Sequence, residues 1–406
     1  MKQESLLFIT KLHFNKNGNG GQQRTYYLIK ELSKYCNVFV LSPYSEKNKP
    51  DGIRAHCIES NAIKFEKVLR KNKLFRVVLR LFNWVFKYLE PIKPIHQSNF
   101  AYFLYTKQLK ALKAKLLQHN VKSVVYDTVS VVTEVNWMEH KILNAHNFDS
   151  ELYEYKLSAA QNLNERQIDD LKRGLLKLKR YEYNIDQYFT EVWVCSKDDE
   201  QKFRSANKTT GVQFYELPNG SDIEERQFQL IHNNYKKLLF VGSLNYFPNV
   251  NGLKWFVEHI FKHLPEDYEL NIVGKSPNKE DFKFLEHIKN ITFIGEVDSV
   301  SPYYKNHDVV VVPLLEGSGT RLKILEAFSY GKLVLSTPKG IEGINANTNE
   351  DYFEFKNLES FRTNFLSNIN DHEKLKRIRE NGRRIIEENY SWTGIVKNYL
   401  EQKYGK

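Results

Sequence analysis

The sequence has very little cysteine and no long apolar run. Its 406 residues include only three cysteines, Cys36, Cys57 and Cys195, which are widely spaced and odd in number. This excludes a disulfide framework, disfavours a structural zinc site and is typical of a protein of the reducing cytoplasm. A helix that crosses a bilayer needs ~20 apolar residues. The longest apolar stretches, such as Val309–Val312, are far shorter and predict buried strands.

Proline and glycine are also scarce, with 11 and 19 residues, which excludes a fibrous or low-complexity chain. The 41 % hydrophobic and 27 % charged residues predict a folded globular protein, and the length fits two domains. Basic residues outnumber acidic ones by 60 to 49, a formal charge of +11. That excess fits an anionic ligand, nucleic acid or an acidic membrane surface. Because no nucleic-acid-binding motif accompanies the charge, we do not expect nucleic acid as a partner.

Short buried strands alternate with loops and helices along the chain, which predicts an α/β fold with parallel sheets. The first half begins with SLLFIT at 5–10 and NVFVLS at 37–42. After a polar stretch at 221–237 the pattern starts again with KLLFVG at 237–242. We therefore predict two similar α/β halves, with a domain over 1–222 and a second over 223–389.

One segment, residues 64–90, is strongly basic, with eight basic and two acidic residues. Its apolar side chains recur at helical spacing, and Arg76, Arg80 and Lys87 share the opposite face. Such a helix could lie on an anionic bilayer. It could equally pack on its own domain with a solvated basic face.

The clearest motif for a binding site is EGSGTRLKILEA at 316–327, which follows the buried strand DVVVVP and opens a helix. Glycines and the N–H groups of a helix N-terminus favour an anion. Arg321 and Lys323 stand where the helix dipole disfavours cations, and a phosphate group would relieve that conflict. Glu326, one turn after Lys323, suits ribose hydroxyl groups. The alternative is an ordinary surface pair of Lys323 and Glu326.

With these motifs in order, the chain resembles a retaining GT-B glycosyltransferase of family 4 (glycosyl transferases group 1), in the branch with a basic Gly-Thr-x-x-Lys-x-x-Glu motif. The similar stretches span nearly the whole chain: AHNFD at 145–149, VCS at 194–196, LPNG at 217–220, FVGS at 240–243, IVG at 272–274, GEV at 295–297, GTRLKILEA at 319–327 and YSW at 390–392. The resemblance implies two Rossmann-like domains facing across a cleft. The first would bind the acceptor and the second the donor, with the helix at 390–406 returning to the first.

The resemblance also implies residue roles. Arg321 and Lys323 would neutralise the leaving diphosphate, and His146 would contact the transferred sugar, although a lone histidine is usually structural. The implied donor-binding residues are Gly20, Gly21, Ser243, Asn249, Gly274, Lys275, Val297, Gly319, Thr320 and Glu326. A glycine-rich loop such as the one around Gly20 also occurs in hairpins, so that signal is weak by itself. The basic face of Arg76, Arg80 and Lys87 would meet the membrane or the acceptor.

The sequence departs from the family pattern at two places, and it lacks an Asp-x-Asp motif. These three features bear on the expected mechanism. The family often carries two glutamates separated by seven residues, and Glu316 stands two residues too early to pair with Glu326 in this way. Many members also have an arginine and a lysine after the first strand of the donor domain, whereas residues 242–249 here include no basic residue. No Asp-x-Asp occurs, so we expect a metal-independent reaction without a cofactor, using a UDP- or GDP-linked sugar. The implied function is retaining sugar transfer to a glycan or lipid-linked acceptor in cell-envelope or polysaccharide biosynthesis. We expect the enzyme at the inner face of the cytoplasmic membrane. The alternatives are a nucleotide-sugar epimerase of this fold and a catalytically silent scaffold that binds a membrane or a partner.

Overall fold

The structure is a computed structural model that describes residues 5–60, 99–132, 137–158, 164–208, 211–223, 234–244, 246–275, 285, 288–317 and 321–405. The chain divides into two compact units, Met1–Leu217 and Pro218–Lys406. The domain limits drawn from the sequence, and the return of the last helix to the first domain, stay predictions. The basic segment at 64–90, with Arg76, Arg80 and Lys87, lies outside the described residues.

The first unit contains a seven-stranded parallel sheet in the order β3-β2-β1-β4-β5-β6-β7. Its strands are β1 Ser5–Ile9, β2 Asn37–Ser42, β3 His56–Glu59, β4 Val121–Asp127, β5 His140–Asn144, β6 Glu191–Val194 and β7 Gln213–Glu216. The α-helices that the structure describes in this unit are α1 Gly20–Leu32, α2 Asn99–Gln118, α3 Asp149–Ser158, α4 Glu165–Glu182, α5 Ile185–Tyr188 and α6 Lys197–Ala206.

The second unit contains a six-stranded parallel sheet in the order β10-β9-β8-β11-β12-β13. Its strands are β8 Lys237–Val241, β9 Glu269–Val273, β10 Ile291–Gly295, β11 Val309–Val312, β12 Leu333–Ser336 and β13 Phe353–Glu354. Among its described residues, the α-helices are α7 Phe247–His259, α8 Ser301–Lys305, α9 Leu322–Ser329, α10 Pro338–Ile341, α11 Leu358–Asn364, α12 His372–Asn389 and α13 Trp392–Tyr404.

The central strands of both sheets are buried on their two faces, as expected when helices cover a parallel sheet, whereas the edge strands β7 and β10 are partly exposed. The four valines of β11 are all buried, and residues 310 and 312 face one core cluster while 309 and 311 face another. Near-continuous apolar runs such as NVFVLS, KLLFV and VVVV therefore mark the central strands, and the predicted α/β fold with parallel sheets is confirmed. The sequence analysis missed β3 and β13, two short strands at the sheet edges, because HCIE and FE carry too few apolar residues to form a pattern.

Each sheet has one place where its strand order reverses. β1 lies between β2 and β4, and β8 lies between β9 and β11, so the chain winds outward in both directions from β1 and from β8. At such a switch point the helices leave toward opposite faces and open a crevice at the carboxyl ends of the strands, where ligands of α/β proteins bind. We therefore expect ligand-binding sites at the carboxyl ends of β1 and β4 and at those of β8 and β11.

Candidate active site

In the second unit, the crevice between β8 and β11 contains a lysine held by an asparagine. Lys323, in the first turn of α9, donates from Nζ to Oδ1 of Asn249 over 2.6 Å. Asn249 in turn donates from Nδ2 to the Ser243 carbonyl over 2.8 Å, and it lies in the first turn of α7. The ammonium group also stands over the Phe240 ring, 4.9 Å from its centroid. A side chain at Gly242 would collide with this arrangement, since its Cβ would lie 2.8 Å from Nζ of Lys323.

The environment of Lys323 destabilises its charged form. Burial, together with repulsion from Arg321, lowers its pKa to about 7, and attraction by Glu326 only partly opposes that shift. The Arg321 side chain is itself buried, and its Nη2 lies 3.9 Å from Oε2 of Glu342. Two cations crowded at the start of a helix are stabilised by an anion bound next to them. The site therefore has the electrostatic character of a phosphate-binding site.

Glu326 is buried on the same helix, one turn after Lys323. The Tyr304 hydroxyl group lies 3.3 Å from Oε2 of Glu326 and also 3.3 Å from the Lys323 carbonyl, so one tyrosine contacts both positions. Tyr304 comes from α8 and its ring stacks on that of Tyr330. The alternative to a ligand-binding role was an ordinary surface pair of Lys323 and Glu326, and the burial of Glu326 does not fit that alternative. The sequence did not indicate Tyr304 as a neighbour of Glu326.

The structure brings most of the other predicted donor-binding positions to the same edge of this sheet. Gly274 follows β9, and a Cβ there would lie 1.9 Å from the Gly242 carbonyl oxygen, so the close approach of the two loops requires glycine. Lys275, the next residue, makes an exposed ion pair with Glu296 over 2.7 Å. Val297 follows β10 and packs partly buried against the core. Gly319 and Thr320 lie outside the described residues.

In the first unit, the crevice between β1 and β4 contains a buried carboxylate that the sequence analysis missed. Asp127, the last residue of β4, is fully buried. Its Oδ2 accepts from the Thr10 hydroxyl over 2.6 Å and lies 2.8 Å from the Thr25 hydroxyl. Its Oδ1 lies 2.7 Å from Nε2 of His146 and accepts from Nδ2 of Asn144 over 2.8 Å. Four side chains from three other segments of the chain, the ends of β1 and β5 and helix α1, therefore converge on one carboxyl group.

Arg24 fixes the orientation of the Asn144 amide in this network. Its Nε and Nη2 both donate to Oδ1 of Asn144, over 3.0 and 2.9 Å, and its Nη1 donates to the Leu217 carbonyl. Because Oδ1 of Asn144 accepts from Arg24, the Asn144 amide must present Nδ2 to Asp127. Burial by itself raises the pKa of Asp127, but the His146 ring and the hydrogen bonds outweigh it, so the pKa is lowered. An ionised Asp127 accepts the Nε2 proton of His146.

Gly20 and Gly21 are not in a loop, as the sequence analysis expected, but form the first turn of α1. The helix begins early because Asn19 caps it: the Asn19 side chain accepts from the Gln22 backbone, and the Gln22 side chain accepts from the Asn19 backbone. A Cβ at Gly21 would lie 3.1 Å from Nδ1 of His146. The glycine therefore keeps the helix start open beside the histidine ring.

A pattern in the sequence could have revealed Asp127, Asn144 and Thr10. Each is a polar residue at or just after the end of an apolar strand, in VVYD, ILN and LLFIT. The carboxyl ends of adjacent parallel strands meet at one edge of the sheet, so such residues are candidates for a shared site. Nothing in the sequence indicated that Arg24 is part of this network, because the side chain of an arginine in a helix is ordinarily solvated. The described residues include no group of three or more His, Cys, Asp or Glu side chains that could hold a metal ion.

Within the described residues, no helix is both long and apolar enough to cross a membrane.

Residues 235–371, which contain β8, Lys323 and Glu326, match the family model described as Glycosyl transferases group 1. The chain is 26 % identical to an uncharacterized 44.6 kDa protein in the cps region of Klebsiella pneumoniae, over 65 % of this chain and 68 % of that one. It is 28 % identical to an uncharacterized glycosyltransferase of Methanocaldococcus jannaschii, over 43 % of this chain but only 47 % of the relative.

Solved structures match the whole chain at low identity. Sucrose-phosphate synthase from Thermosynechococcus elongatus has a TM-score of 0.64 at 14 % identity and covers 99 % of this chain and 100 % of its own. WaaG, a glycosyltransferase involved in lipopolysaccharide biosynthesis, has a TM-score of 0.62 at 14 % identity, with 99 % and 100 % covered. Anabaena HepE in complex with UDP and glucose reaches 0.61 at 13 % identity, with both chains fully covered. The fold is therefore GT-B, as predicted, and the matches support the GT-B glycosyltransferase family.

The Asp127 network leads to a prediction about stability. Replacing Asp127 by alanine leaves the Asn144 amide, the Thr10 hydroxyl and the His146 ring without their shared acceptor inside the protein. We expect the free energy of unfolding to fall by about 3 kcal/mol or more. Urea denaturation followed by tryptophan fluorescence measures this loss. The matched control is Asp198→Ala, an exposed aspartate in the first turn of α6, which should cost less than about 1 kcal/mol. Equal losses in both variants would show that the network contributes little.

Proposed function

We propose that this protein is a retaining glycosyltransferase that moves a sugar from a nucleoside-diphosphate sugar to a glycan or a lipid-linked acceptor. The observation that carries the proposal is the group formed by Lys323, Arg321, Asn249 and Glu326 at the switch point of the second sheet. Structures of HepE, which shares the fold, contain UDP or UDP-glucose. The setting of the Klebsiella relative in a cps region and the role of WaaG in lipopolysaccharide biosynthesis support an acceptor in polysaccharide or envelope assembly.

In the proposed reaction the second unit binds the donor. Glu326 accepts hydrogen bonds from the ribose hydroxyl groups, and the ammonium group of Lys323 and the guanidinium group of Arg321 bind the diphosphate. As the glycosidic bond breaks, negative charge grows on the leaving diphosphate, and fixed cations stabilise that charge most strongly in the transition state. Asn249 acts as a positioning residue, because its amide holds the Lys323 ammonium group while the Ser243 carbonyl holds the amide. The proposal needs no resident cofactor and no metal ion.

The first unit binds the acceptor and supplies His146, which contacts the transferred sugar. Asp127 fixes the ring through Nε2 and sets its orientation. In this proposal the acceptor hydroxyl group attacks from the face that the diphosphate leaves, which retains the anomeric configuration. A double displacement would need a carboxylate nucleophile. Asp127 does not suit that role, because its two oxygens already bind Thr10, Asn144 and His146.

The donor assignment is tested by thermal shift with UDP, GDP, ADP, TDP and CMP. We expect one nucleoside diphosphate to raise the melting temperature of the wild type, because a ligand at 100 times its dissociation constant adds about 2.7 kcal/mol of stability. Glu326→Ala should lose most of that shift. Glu258→Ala, an exposed glutamate of α7 paired with Lys262, is the matched control and should keep it. An unchanged shift in Glu326→Ala would remove this residue from the donor site, and no shift with any nucleotide would favour a scaffold.

The low pKa of Lys323 makes a separate prediction. A diphosphate binds the charged form of Lys323, whereas in the unbound protein the pKa of about 7 leaves that form scarce at alkaline pH. Above pH 7 the donor nucleotide must therefore bind together with a proton, and we expect its dissociation constant to rise about 20-fold between pH 7.5 and 9. Lys323→Arg should flatten this dependence, because arginine stays charged. Calorimetric titration measures the slope, and Lys262→Gln is the control. A flat profile in the wild type would contradict the assignment.

We also propose that the enzyme works in the cytoplasm as a peripheral protein at the inner membrane face. The support is the basic amphipathic pattern of residues 64–90, which lie outside the described structure. Changing Arg76, Arg80 and Lys87 together to glutamate should abolish sedimentation with vesicles that contain anionic lipid. Phosphatidylcholine vesicles serve as the control for nonspecific adhesion. Undiminished sedimentation of the triple variant would show that this segment does not bind the membrane.

A further inference from the structure

The hydroxyl group of Tyr304 lies between two residues of the proposed donor site. It is 3.3 Å from Oε2 of Glu326 and 3.3 Å from the carbonyl oxygen of Lys323. Both acceptors belong to α9, whereas Tyr304 belongs to α8, 22 and 19 positions earlier in the chain. Because a hydroxyl group has one proton, it donates to one of these oxygens at a time. One side chain from another helix thus contacts the residue assigned to the ribose and the residue assigned to the diphosphate.

Packing in the core fixes the position of the Tyr304 ring. The residue is fully buried, and its ring stacks on that of Tyr330, with 5.2 Å between the centroids and 14° between the planes. It belongs to the same core cluster as Val310 of β11 and Ile324 of α9. Its backbone N–H donates to the Val300 carbonyl over 3.2 Å. The hydroxyl group therefore has a fixed position, from which it can orient a neighbouring carboxyl group.

The carboxyl group of Glu326 needs such a partner if it is to bind a ribose. A glutamate side chain has several rotatable bonds, and ordering it only when the ligand binds would weaken binding. A hydrogen bond that holds the carboxyl group beforehand removes that cost. Hydrogen bonds to a carboxylate are also stronger than those between two neutral groups. The contact with Tyr304 joins this flexible side chain to the rigid core.

We propose that Tyr304 is a positioning residue that holds Glu326 in the orientation that binds the ribose hydroxyl groups of the donor nucleotide. The inference rests on the proposed function, in which Glu326 binds the ribose and Lys323 the diphosphate. Tyr304 acts through Glu326 and does not itself touch the donor. The Lys323 ammonium group is held separately by Asn249, over 2.6 Å. Loss of the tyrosine hydroxyl group should therefore weaken recognition of the ribose and leave recognition of the diphosphate intact.

Calorimetric titration of the full chain with UDP and with 2′,3′-dideoxy-UDP tests this role, and GDP and its dideoxy counterpart are measured in the same way. We expect the wild type to bind one ribonucleotide about tenfold or more tightly than its dideoxy counterpart. In Tyr304→Phe the dissociation constant of that ribonucleotide should rise about fivefold, and that of the dideoxy nucleotide should stay within about twofold. Phenylalanine keeps the stacked ring. Tyr303→Phe removes a hydroxyl group from the neighbouring position of α8 and should bind both nucleotides as the wild type does.

A double variant separates positioning from direct contact. Because Tyr304 acts through Glu326, adding Tyr304→Phe to Glu326→Ala should not change the ratio of the two dissociation constants any further. A further fall in that ratio would show that Tyr304 contacts the ribose itself, which overturns the positioning role.

The single variant can also overturn the inference. An equal rise of both dissociation constants in Tyr304→Phe would show a merely structural role, and unchanged binding of both nucleotides would show no role. A wild type that binds the ribonucleotide and its dideoxy counterpart equally would reject this inference and leave the diphosphate assignment standing. Absence of binding by all four nucleotides would instead count against the proposed function.

Discussion

Reversal of strand order beside β1 and beside β8 is the constraint on which both sites depend. In a parallel sheet each crossover is right-handed, so a chain that winds first to one side of a strand and then to the other must send its helices to opposite faces. The carboxyl ends of β1 and β4 in one unit, and of β8 and β11 in the other, are therefore left uncovered. The residues that the structure gathers at these ends come from distant parts of the chain, and only the winding brings them together.

Buried charges are compensated differently in the two units. In the first, Asp127 is balanced within the protein, because Thr10, Asn144 and His146 surround its two oxygens. Such a network is rigid, and it fixes the ring that the proposed mechanism uses. In the second, burial disfavours the charged form of Lys323, and repulsion from Arg321 disfavours it further. A site that is balanced needs no ligand, whereas one with excess charge is stabilised by binding an ion of opposite sign.

Glycine makes room for the functional side chains in both units. Gly242 lies against the Lys323 ammonium group, Gly21 against the His146 ring and Gly317 against the Arg321 guanidinium group. Gly317 also has φ +102°, which other residues rarely adopt. In each case a Cβ would occupy space beside a charged or titratable group. The glycines near these motifs thus act through close approach to side chains, in addition to any exposed backbone they offer to a ligand.

The sequence by itself determined the fold class, because short apolar runs such as NVFVLS and VVVV alternate with helical segments, a pattern typical of buried strands in a parallel sheet covered by helices on both faces. It also indicated the motif that we propose binds the donor, where Lys323 and Glu326 are three residues apart and share a helix face. Tertiary structure alone decided that Asp127 and Arg24 belong to the histidine's network and that Tyr304 contacts Glu326. These residues are far apart in the chain, and their contacts depend on strand order and register. A pattern of neighbouring residues carries no information about either.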